Sequence, residues 1–375
     1  MKSKDSFQFF LVWVLIGSNI FIASNGAIDV VAHPSVLPDI IKIGYLTPLS
    51  GSASESGRGM RLGAELAEWV INERWGGISR DGLSNATVEI LISDTVTNPT
   101  ATTAVTTSLI RHEGVEVIIG AALSSNTLAA ANITNPAQVV LISYASTHST
   151  ITTQGGEYTF RVVGSDSLQG WALADIALNK GYTRALSLYQ DTPYGIDVAV
   201  AFKHKYEAKG AKVVEEIAYP ETTTNFSAQL QTIRFLEDIG AIDVIMDVSW
   251  FADGAILFTE AASSGIATPW LCTETIADPY IFTIRPNVGS SMDGFWGITS
   301  MRPDPTTPAY QQFLTLFQER FPGVSVPFYA DYSYDAVMLA VDAIKYAGVY
   351  EGSVIKEVLP IVSQDWIGAT GKKTF

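Results

Sequence analysis

The sequence contains one cysteine, Cys272, and four histidines among 375 residues. A single thiol cannot form an intrachain disulfide, and the scattered histidines lack the spacing of metal ligands, so we predict neither a disulfide nor a metal site. Basic residues are also scarce, with 23 Lys and Arg against 38 Asp and Glu and a formal net charge of −15. This balance argues against nucleic acid or an anionic membrane surface as a partner.

The sequence also lacks the motifs of common enzyme classes. It has no Gly-Lys-Ser/Thr phosphate-binding motif, no His-Glu-x-x-His and no Gly-x-Ser-x-Gly. The glycines over 57–63 do not complete a dinucleotide-binding loop, because Leu62 stands where the third glycine is needed. We therefore predict a protein that is not an enzyme, has no catalytic residues and needs no cofactor.

Only one long apolar run is present, over residues 9–23, close to the N-terminus. Lys2 and Lys4 precede it, and small and polar residues follow at 24–27. A basic start, an apolar stretch and a small-residue exit are typical of a secretory signal, so residues 1–27 are predicted to be a signal peptide. An uncleaved membrane anchor is the alternative. In either case we expect the body of the protein to be extracytoplasmic.

Beyond residue 40, short apolar runs alternate with amphipathic segments. Leu62, Leu66 and Trp69, for example, fall on one face of a helix predicted over 58–74. This alternation predicts an α/β fold with doubly wound parallel sheets, and strands that are apolar throughout fit burial on both faces. The eight predicted strands are 41–46, 88–93, 115–120, 139–143, 185–189, 212–217, 242–248 and 269–273.

So many strand–helix units exceed one open sheet. Breaks near 158–166 and 292–298 indicate that the chain crosses from one lobe to another and returns, so we predict two lobes joined by a multi-strand hinge, with a ligand cleft between them. The chain also reads as truncated at its C-terminal end. The predicted segments are a linker at 28–40, the first lobe at 41–161, the second lobe at 162–293, a return to the first lobe at 294–365 and the start of a third crossing into the second lobe at 366–375.

Two of the predicted strands end in small hydroxyl residues. The strand at 115–120 is followed by Ser124 and Ser125, and the strand at 139–143 by Ser146 and Thr147. In an open α/β sheet, ligands bind where strands end and helices begin. Backbone N–H groups and hydroxyls at such a place can hold a small anion. Because no catalytic group accompanies them, the pattern favours capture of a small ligand over its conversion.

The segment Ile43-Gly-Tyr-Leu-Thr-Pro-Leu-Ser-Gly51 resembles the opening strand and loop of the leucine/isoleucine/valine-binding protein family. Further matching pieces follow in the same order, at 117–120, 145–147, 191–195 and 334–336, over nearly the whole chain from Lys42 onward. The resemblance implies a type I periplasmic-binding (Venus-flytrap) fold. It also implies a monomeric substrate-binding protein that delivers a branched-chain amino acid, or a close relative, to the membrane permease of an ABC transporter.

The resemblance implies a binding site as well. Ser124 matches the hydroxyl residue that binds the α-carboxylate of the ligand, with the backbone N–H groups of Ser125 and Thr147 beside it. The carbonyl of Ala145, the hydroxyl of Thr147 and the carboxylate of Glu274 match groups that surround the α-ammonium.

The same resemblance assigns two aromatic positions. Tyr194 and Trp250 match aromatic residues of the second lobe. We interpret Asp166 and Gln169, which lie in another matching piece, as hinge or helix-start residues and not as ligand contacts. Six of the site residues also have an ordinary structural interpretation: helix capping for the serines, a polar turn for Thr147, a surface charge or an ion pair for Glu274, and packing for the two aromatic residues.

Two departures from the family pattern leave the ligand open. Ser56 occupies a position that is often aromatic in the family, so we expect a more polar or more open wall around the ligand side chain. Tyr144 stands where proline is common. The second functional hypothesis is the ligand-sensing ectodomain of a membrane receptor, which shares this fold; the glycosylation tripeptides at Asn85, Asn132 and Asn225 are weak support for it.

Overall fold

The computed structural model describes residues 37–80, 82, 84–277, 281–282, 285–299, 305–373 and 375. The predicted signal peptide at 1–27 and most of the predicted linker lie outside the described residues. Within the described part of the chain, no helix is both long enough and apolar enough to cross a bilayer.

The first sheet has six strands in the order β2-β3-β1-β4-β5-β6, parallel except for the antiparallel pair β2–β3. β4 and β5 are buried at every position because helices cover both faces of the sheet. The strands are β1 (Ile40–Thr47), β2 (Ile78–Ser79), β3 (Asn85–Asp94), β4 (Val117–Ile119), β5 (Val140–Ser143) and β6 (Thr159–Arg161).

The second sheet has five parallel strands in the order β11-β10-β9-β7-β8. A separate antiparallel hairpin is formed by β12 (Ile367–Gly368) and β13 (Gly371–Lys372). All eight predicted strands are present, with ends shifted by a few residues. The strands of the second sheet are β7 (Arg184–Gln190), β8 (Lys212–Tyr219), β9 (Val244–Val248), β10 (Trp270–Cys272) and β11 (Trp296–Gly297).

Helices connect the strands, and several begin at a side-chain cap. Asn98, Ser165 and Thr192 accept hydrogen bonds from backbone N–H groups in the first turns of α2, α5 and α6. The helices are α1 (Ser54–Trp69, continued by a π-helical turn at Val70–Arg74), α2 (Pro99–Glu113), α3 (Ser124–Thr134), α4 (Thr150–Gln154), α5 (Asp166–Asn179), α6 (Pro193–Ala208), α7 (Ser227–Asp238), α8 (Phe251–Ser263), α9 (Val288–Ser291), α10 (Pro308–Arg320), α11 (Ala330–Ala347) and α12 (Gly352–Ser363), with a 3₁₀ turn at Glu274–Ala277.

Each sheet with its helices forms one lobe, so the predicted α/β architecture of two doubly wound lobes is confirmed. The core of the first lobe is assembled from two distant stretches of chain, because residues 37–163 and 313–369 share one apolar cluster. α11 packs along α1 in this core. The second lobe has an apolar cluster on each face of its sheet.

Two features at the predicted domain ends differ from the sequence-based boundaries. β11 comes after residue 293, where we predicted the second lobe to end, so the second sheet continues to Gly297. The hairpin over 367–372 lies in the segment predicted to begin a third crossing, yet it packs on α11 of the first lobe, where the Asp335 carboxylate accepts the N–H groups of Ala369 and Thr370. Strands of two residues carry no periodicity that a sequence pattern could reveal.

Candidate ligand-binding cleft

A cleft of about 490 Å³, including its open mouth, lies between the two lobes. Its walls come from the segments that follow the carboxyl ends of β4 and β5 in the first lobe and of β7, β9 and β10 in the second, which is the position expected for ligand sites in parallel sheets. All seven predicted ligand-binding residues line it: Ser124, Ser125, Ala145, Thr147, Tyr194, Trp250 and Glu274.

The first-lobe wall is centred on the start of α3. The N-cap residue of this helix is Leu123, which has no side-chain oxygen, so the hydroxyls of Ser124 and Ser125 do not cap it as the alternative interpretation required. The first N–H groups of a helix have no partner within the helix, and the helix dipole adds positive potential there. The cleft therefore meets an uncapped helix N-terminus that suits an anion.

Other hydroxyls of these loops are occupied in holding the wall together. Thr127 and Ser146 share a hydrogen bond of 2.7 Å between their hydroxyl oxygens. The Ser143 hydroxyl donates to the carbonyl of Ala121 at 2.9 Å and accepts the N–H of Ser146 at 2.9 Å. Of the polar residues that follow β4 and β5, Ser124, Ser125 and Thr147 are those that line the cleft.

A positively charged side chain, that of Arg161, lies behind this wall. The Nη1 group of Arg161 donates to the carbonyl oxygens of Thr147 and His148, at 2.7 and 2.8 Å. Arg161 does not line the cleft. It fixes the loop after β5 and adds positive charge on the side where an anion would bind.

Glu274 contributes a buried carboxylate to the second-lobe wall. It opens the 3₁₀ turn after β10, and its residue is 3% exposed. Its Oε1 accepts a hydrogen bond of 2.7 Å from the Nε2 of Gln169, and the hydroxyl oxygens of Tyr194 and Tyr329 lie 3.5 Å from it. Burial raises the pKa of Glu274 to about 8, because desolvation penalises the ionised form more than the hydrogen bonds from Tyr194 and Tyr329 stabilise it. Within the described chain, no Lys or Arg forms an ion pair with this carboxylate.

The two predicted aromatic residues stand beside Glu274. Tyr194 follows Pro193 in the first turn of α6, and Trp250 is the N-cap residue of α8. Their rings meet edge to face with centroids 6.4 Å apart. The N–H of Trp250 donates to Asp253 at 3.0 Å, which fixes its backbone at the cleft.

The predicted hinge residues connect the lobe crossing to the cleft. Asp166 is the first residue of α5, and its backbone N–H donates to the carbonyl of Thr147 in the first lobe at 2.9 Å. The Nε2 of Gln169 donates both to Asp166, at 3.0 Å, and to Glu274. Burial raises the pKa of Asp166 well above its usual range. Neither residue lines the cleft, and their role as a hinge stays a prediction.

Five polar or aromatic lining residues were not predicted: Gln190, Thr192, Glu221, Thr275 and Tyr329. Gln190 ends β7, and Glu221 follows the end of β8. The rule that ligands bind at strand ends applies to both, so the signal was present in the sequence. Tyr329 comes from the loop before α11 and had no such signal.

Neither Ser56 nor Tyr144 lines the cleft. Ser56 is buried in α1 and does not line the cleft, so it adds no polar group to the wall, and a more open wall at this position stays a prediction. Tyr144 is a core residue, with its ring stacked on Tyr45 at 5.3 Å and its hydroxyl bonded to the carbonyl of Leu46 at 3.1 Å.

The cleft and its two lobes have a counterpart among known proteins. Residues 40–372 match the family model described as periplasmic binding protein. The chain belongs to the periplasmic binding protein family. This family consists of extracytoplasmic substrate-binding proteins and not of enzymes.

Individual relatives agree with this assignment. The leucine-, isoleucine-, valine-, threonine- and alanine-binding protein of Pseudomonas aeruginosa is 24% identical over 262 residues, which cover 70% of this chain and 67% of the relative. Other curated relatives are matched over about half of their length, 51%. The predicted resemblance to leucine/isoleucine/valine-binding proteins is thereby confirmed.

Solved structures agree on the fold. The branched-chain amino acid transporter substrate-binding protein LivJ of Streptococcus pneumoniae, in complex with isoleucine, is 25% identical with a TM-score of 0.78, over 90% of this chain and 92% of that one. A solute-binding protein of an ABC transporter from R. palustris, in complex with benzoate, is 20% identical with a TM-score of 0.77, over 90% and 89%.

Proposed function

We propose that this protein captures an amino acid in the cleft between its lobes and delivers it to the permease of an ABC transporter. The observation that carries the proposal is the pairing of two complementary walls. The first lobe contributes the uncapped N-terminus of α3 with Ser124 and Ser125, and the second contributes the buried carboxylate of Glu274. An amino-acid zwitterion offers one charge to each wall.

Because each wall belongs to a different lobe, binding depends on lobe closure. Charge-assisted hydrogen bonds hold both ends of the zwitterion only when both lobes contact it. A ligand with this property favours the closed form by its differential affinity for the two conformations. Micromolar affinity, about −8 kcal/mol, is reasonable for a small ligand held in this way. Relatives that are named for leucine, isoleucine and valine support an amino acid as the ligand.

A second candidate ligand is an aromatic carboxylate without an amino group. The structural neighbour that holds benzoate favours it, as do the rings of Tyr194, Trp250 and Tyr329 around the cleft. Because its pKa is about 8, Glu274 is protonated in the empty cleft at neutral pH and would donate a hydrogen bond to such a carboxylate.

The pH dependence of affinity separates the two ligand classes. An ammonium group requires ionised Glu274 and lowers its pKa, so we expect amino-acid affinity to rise with pH, by up to about tenfold per unit, and to level off above about 8. A carboxylate ligand requires the protonated form, so its affinity falls as the pH rises through 8. Calorimetric titrations between about pH 6 and 9 measure both affinity and proton release.

The same titrations test Glu274 directly. Glu274→Gln should weaken amino-acid binding by about 30-fold or more, roughly 2 kcal/mol, and abolish the pH dependence. Glu89→Gln, which neutralises an exposed acid on β3, is the matched control and should change neither. Asp166→Asn shows how much of the titration belongs to the acid that shares Gln169 with Glu274.

A folded protein that binds no amino acid in a thermal-shift screen would contradict the proposal.

A further inference from the structure

A second carboxylate faces the cleft. Glu221 follows β8, is half-buried and lines the same cavity as Glu274. Its Oε1 accepts a hydrogen bond of 2.9 Å from the hydroxyl of Ser52, an exposed residue of the first lobe. The two glutamates are the only charged residues among the described residues that line the cleft. The lining therefore has two potential negative charges and no positive one.

A neutral acceptor lies in the same wall. Gln190 is 3% exposed, and its amide nitrogen is fixed by a hydrogen bond of 2.8 Å to Asp253. Asp253 is itself held by the hydroxyl of Tyr219 at 2.7 Å. With its nitrogen fixed on Asp253, Gln190 has its carbonyl oxygen to offer to the cleft that it lines. An oriented acceptor of this kind favours a ligand with hydrogen-bond donors.

These acceptors have consequences for the ligand side chain. In the proposed function, the α-carboxylate meets α3 and the α-ammonium meets Glu274, which leaves Glu221 and Gln190 for the rest of the ligand. A branched aliphatic side chain would desolvate these groups without pairing them, which is unfavourable. An amine or guanidinium group would pair with both and would balance the second negative charge.

We propose that the cleft selects an amino acid with a positively charged side chain, an amine or a guanidinium, and that Glu221 is the residue that determines this specificity. The inference rests on the proposed function, because it assumes that the α-amino and α-carboxylate groups bind as described. It replaces the branched-chain ligand that the family resemblance implies with a cationic one.

Binding of L-lysine and L-arginine is to be compared with that of L-norleucine and L-leucine by calorimetry on the full chain. We expect the cationic amino acids to bind the wild-type protein at least about 30-fold more tightly than their uncharged counterparts. Glu221→Gln should weaken lysine binding by about tenfold or more and leave norleucine binding nearly unchanged, because the amide has no charge to pair with the ammonium.

A matched variant separates charge recognition from lobe contact. The amide oxygen of Glu221→Gln can still accept the Ser52 hydrogen bond, whereas Ser52→Ala removes that bond and keeps the charge. Ser52→Ala should therefore retain the preference for lysine over norleucine. A preference that survives in Glu221→Gln, an equal loss for both ligands in that variant, or a wild-type protein that binds leucine as tightly as lysine would each overturn the inference.

Failure of the inference is distinguishable from failure of the proposed function. If uncharged amino acids bind tightly and Glu274→Gln abolishes that binding, the amino-acid site stands and only the role of Glu221 is wrong. If none of the four amino acids binds the folded protein, the proposed function fails and this inference fails with it.

Discussion

The contact of α1 with α11 depends on a single residue without a side chain. A Cβ atom on Gly63 would overlap the carbonyl oxygen of Ala330 and lie 2.9 Å from the backbone nitrogen of Tyr334. Both neighbours are backbone atoms of the first turns of α11, so they cannot turn away as a side-chain end could. The absence of a Cβ at this position sets how closely the two helices approach.

Gly63→Ala should therefore destabilise the protein, although alanine favours a helix by about 1 kcal/mol over glycine. We expect a net loss of about 2 to 3 kcal/mol in the free energy of unfolding, because the core is overpacked against backbone. The measurement is denaturant unfolding. Gly289→Ala, in α9, is the control: its added Cβ would meet Phe282 at 3.4 Å, an ordinary contact, so the variant should be at least as stable as the wild type. Equal stability of the two variants would contradict the argument.

Individual residues were predictable where a family motif fixes them. Glu274, Tyr194 and Thr147 come from distant parts of the sequence and line one cleft, as the resemblance implied. Gln190 was missed although it ends β7, because it lies just outside the matched motif at 191–195. That Ser56 is buried in α1 and does not reach the cleft could not be read from its motif position.

At the scale of elements, one carboxylate of the first lobe accepts hydrogen bonds from the turn of the β12–β13 hairpin. Asp335, buried in α11, accepts the N–H groups of Ala369 and Thr370, each at 2.7 Å, and the hydroxyl of Thr370. Burial raises the pKa of Asp335 to about 6, so the carboxylate is mostly ionised at neutral pH and its hydrogen bonds are charge-assisted.

Asp335→Ala should release this hairpin. The N–H groups of Ala369 and Thr370 would be left without their acceptor, at a cost of about 2 to 4 kcal/mol to the local structure. Amide hydrogen exchange at 367–372 should accelerate by at least tenfold, while exchange in β9 and β10 of the second lobe stays unchanged. Asp365→Ala removes an exposed acid next to the hairpin and should leave its exchange rate at the wild-type value. Unaltered exchange in Asp335→Ala would show that other contacts hold the hairpin.

Elements were predictable in proportion to their length. Every strand predicted from an apolar run is present, whereas five short strands escaped prediction: β6, with three residues, and β2, β11, β12 and β13, with two residues each. The threonine-rich helix α2 lacks a strong apolar face, and its ends are set by the Asn98 cap and by Gly114 in the left-handed conformation. Such helices are positioned by the sheet they cover more than by their own pattern.

At the scale of the whole molecule, polar contacts join the lobes across the cleft. The backbone N–H and the hydroxyl of Ser149, at the start of α4, donate to the Asp197 carboxylate of α6 at 2.5 and 2.8 Å. The hydrogen bond from Ser52 to Glu221 is a second such contact. Both contacts require the lobes to lie close together. They therefore stabilise the closed arrangement of the lobes and not an open one.

Asp197→Ala should shift the population toward more open forms. Affinity for the amino acid should fall by about three- to tenfold, since closure loses a charge-assisted contact that the ligand does not make itself. Small-angle X-ray scattering should record a larger radius of gyration for the ligand-free variant, which saturating ligand returns to the wild-type value. Asp175→Ala is the control, because Asp175 pairs with Lys205 within the second lobe. An unchanged radius together with unchanged affinity would remove the Ser149–Asp197 contact from the closure mechanism.

The organisation into two lobes followed from counting strands, which shows that the number of apolar runs carries information about the whole chain. The hydrogen bonds between the lobes could not be predicted, because nothing in the sequence distinguishes Ser149 and Asp197 from other polar residues. Their meeting depends on the angle between the lobes, which no local pattern encodes.

The split origin of the first lobe has a consequence for synthesis. α1 leaves the ribosome long before α11 exists, so the face around Gly63 that packs on α11 lacks this partner during that interval. The second lobe is built from the continuous stretch 166–297 and can complete its sheet first. We therefore expect the middle of the chain to fold ahead of its beginning, with apolar surface of the first lobe exposed until the C-terminal helices are made.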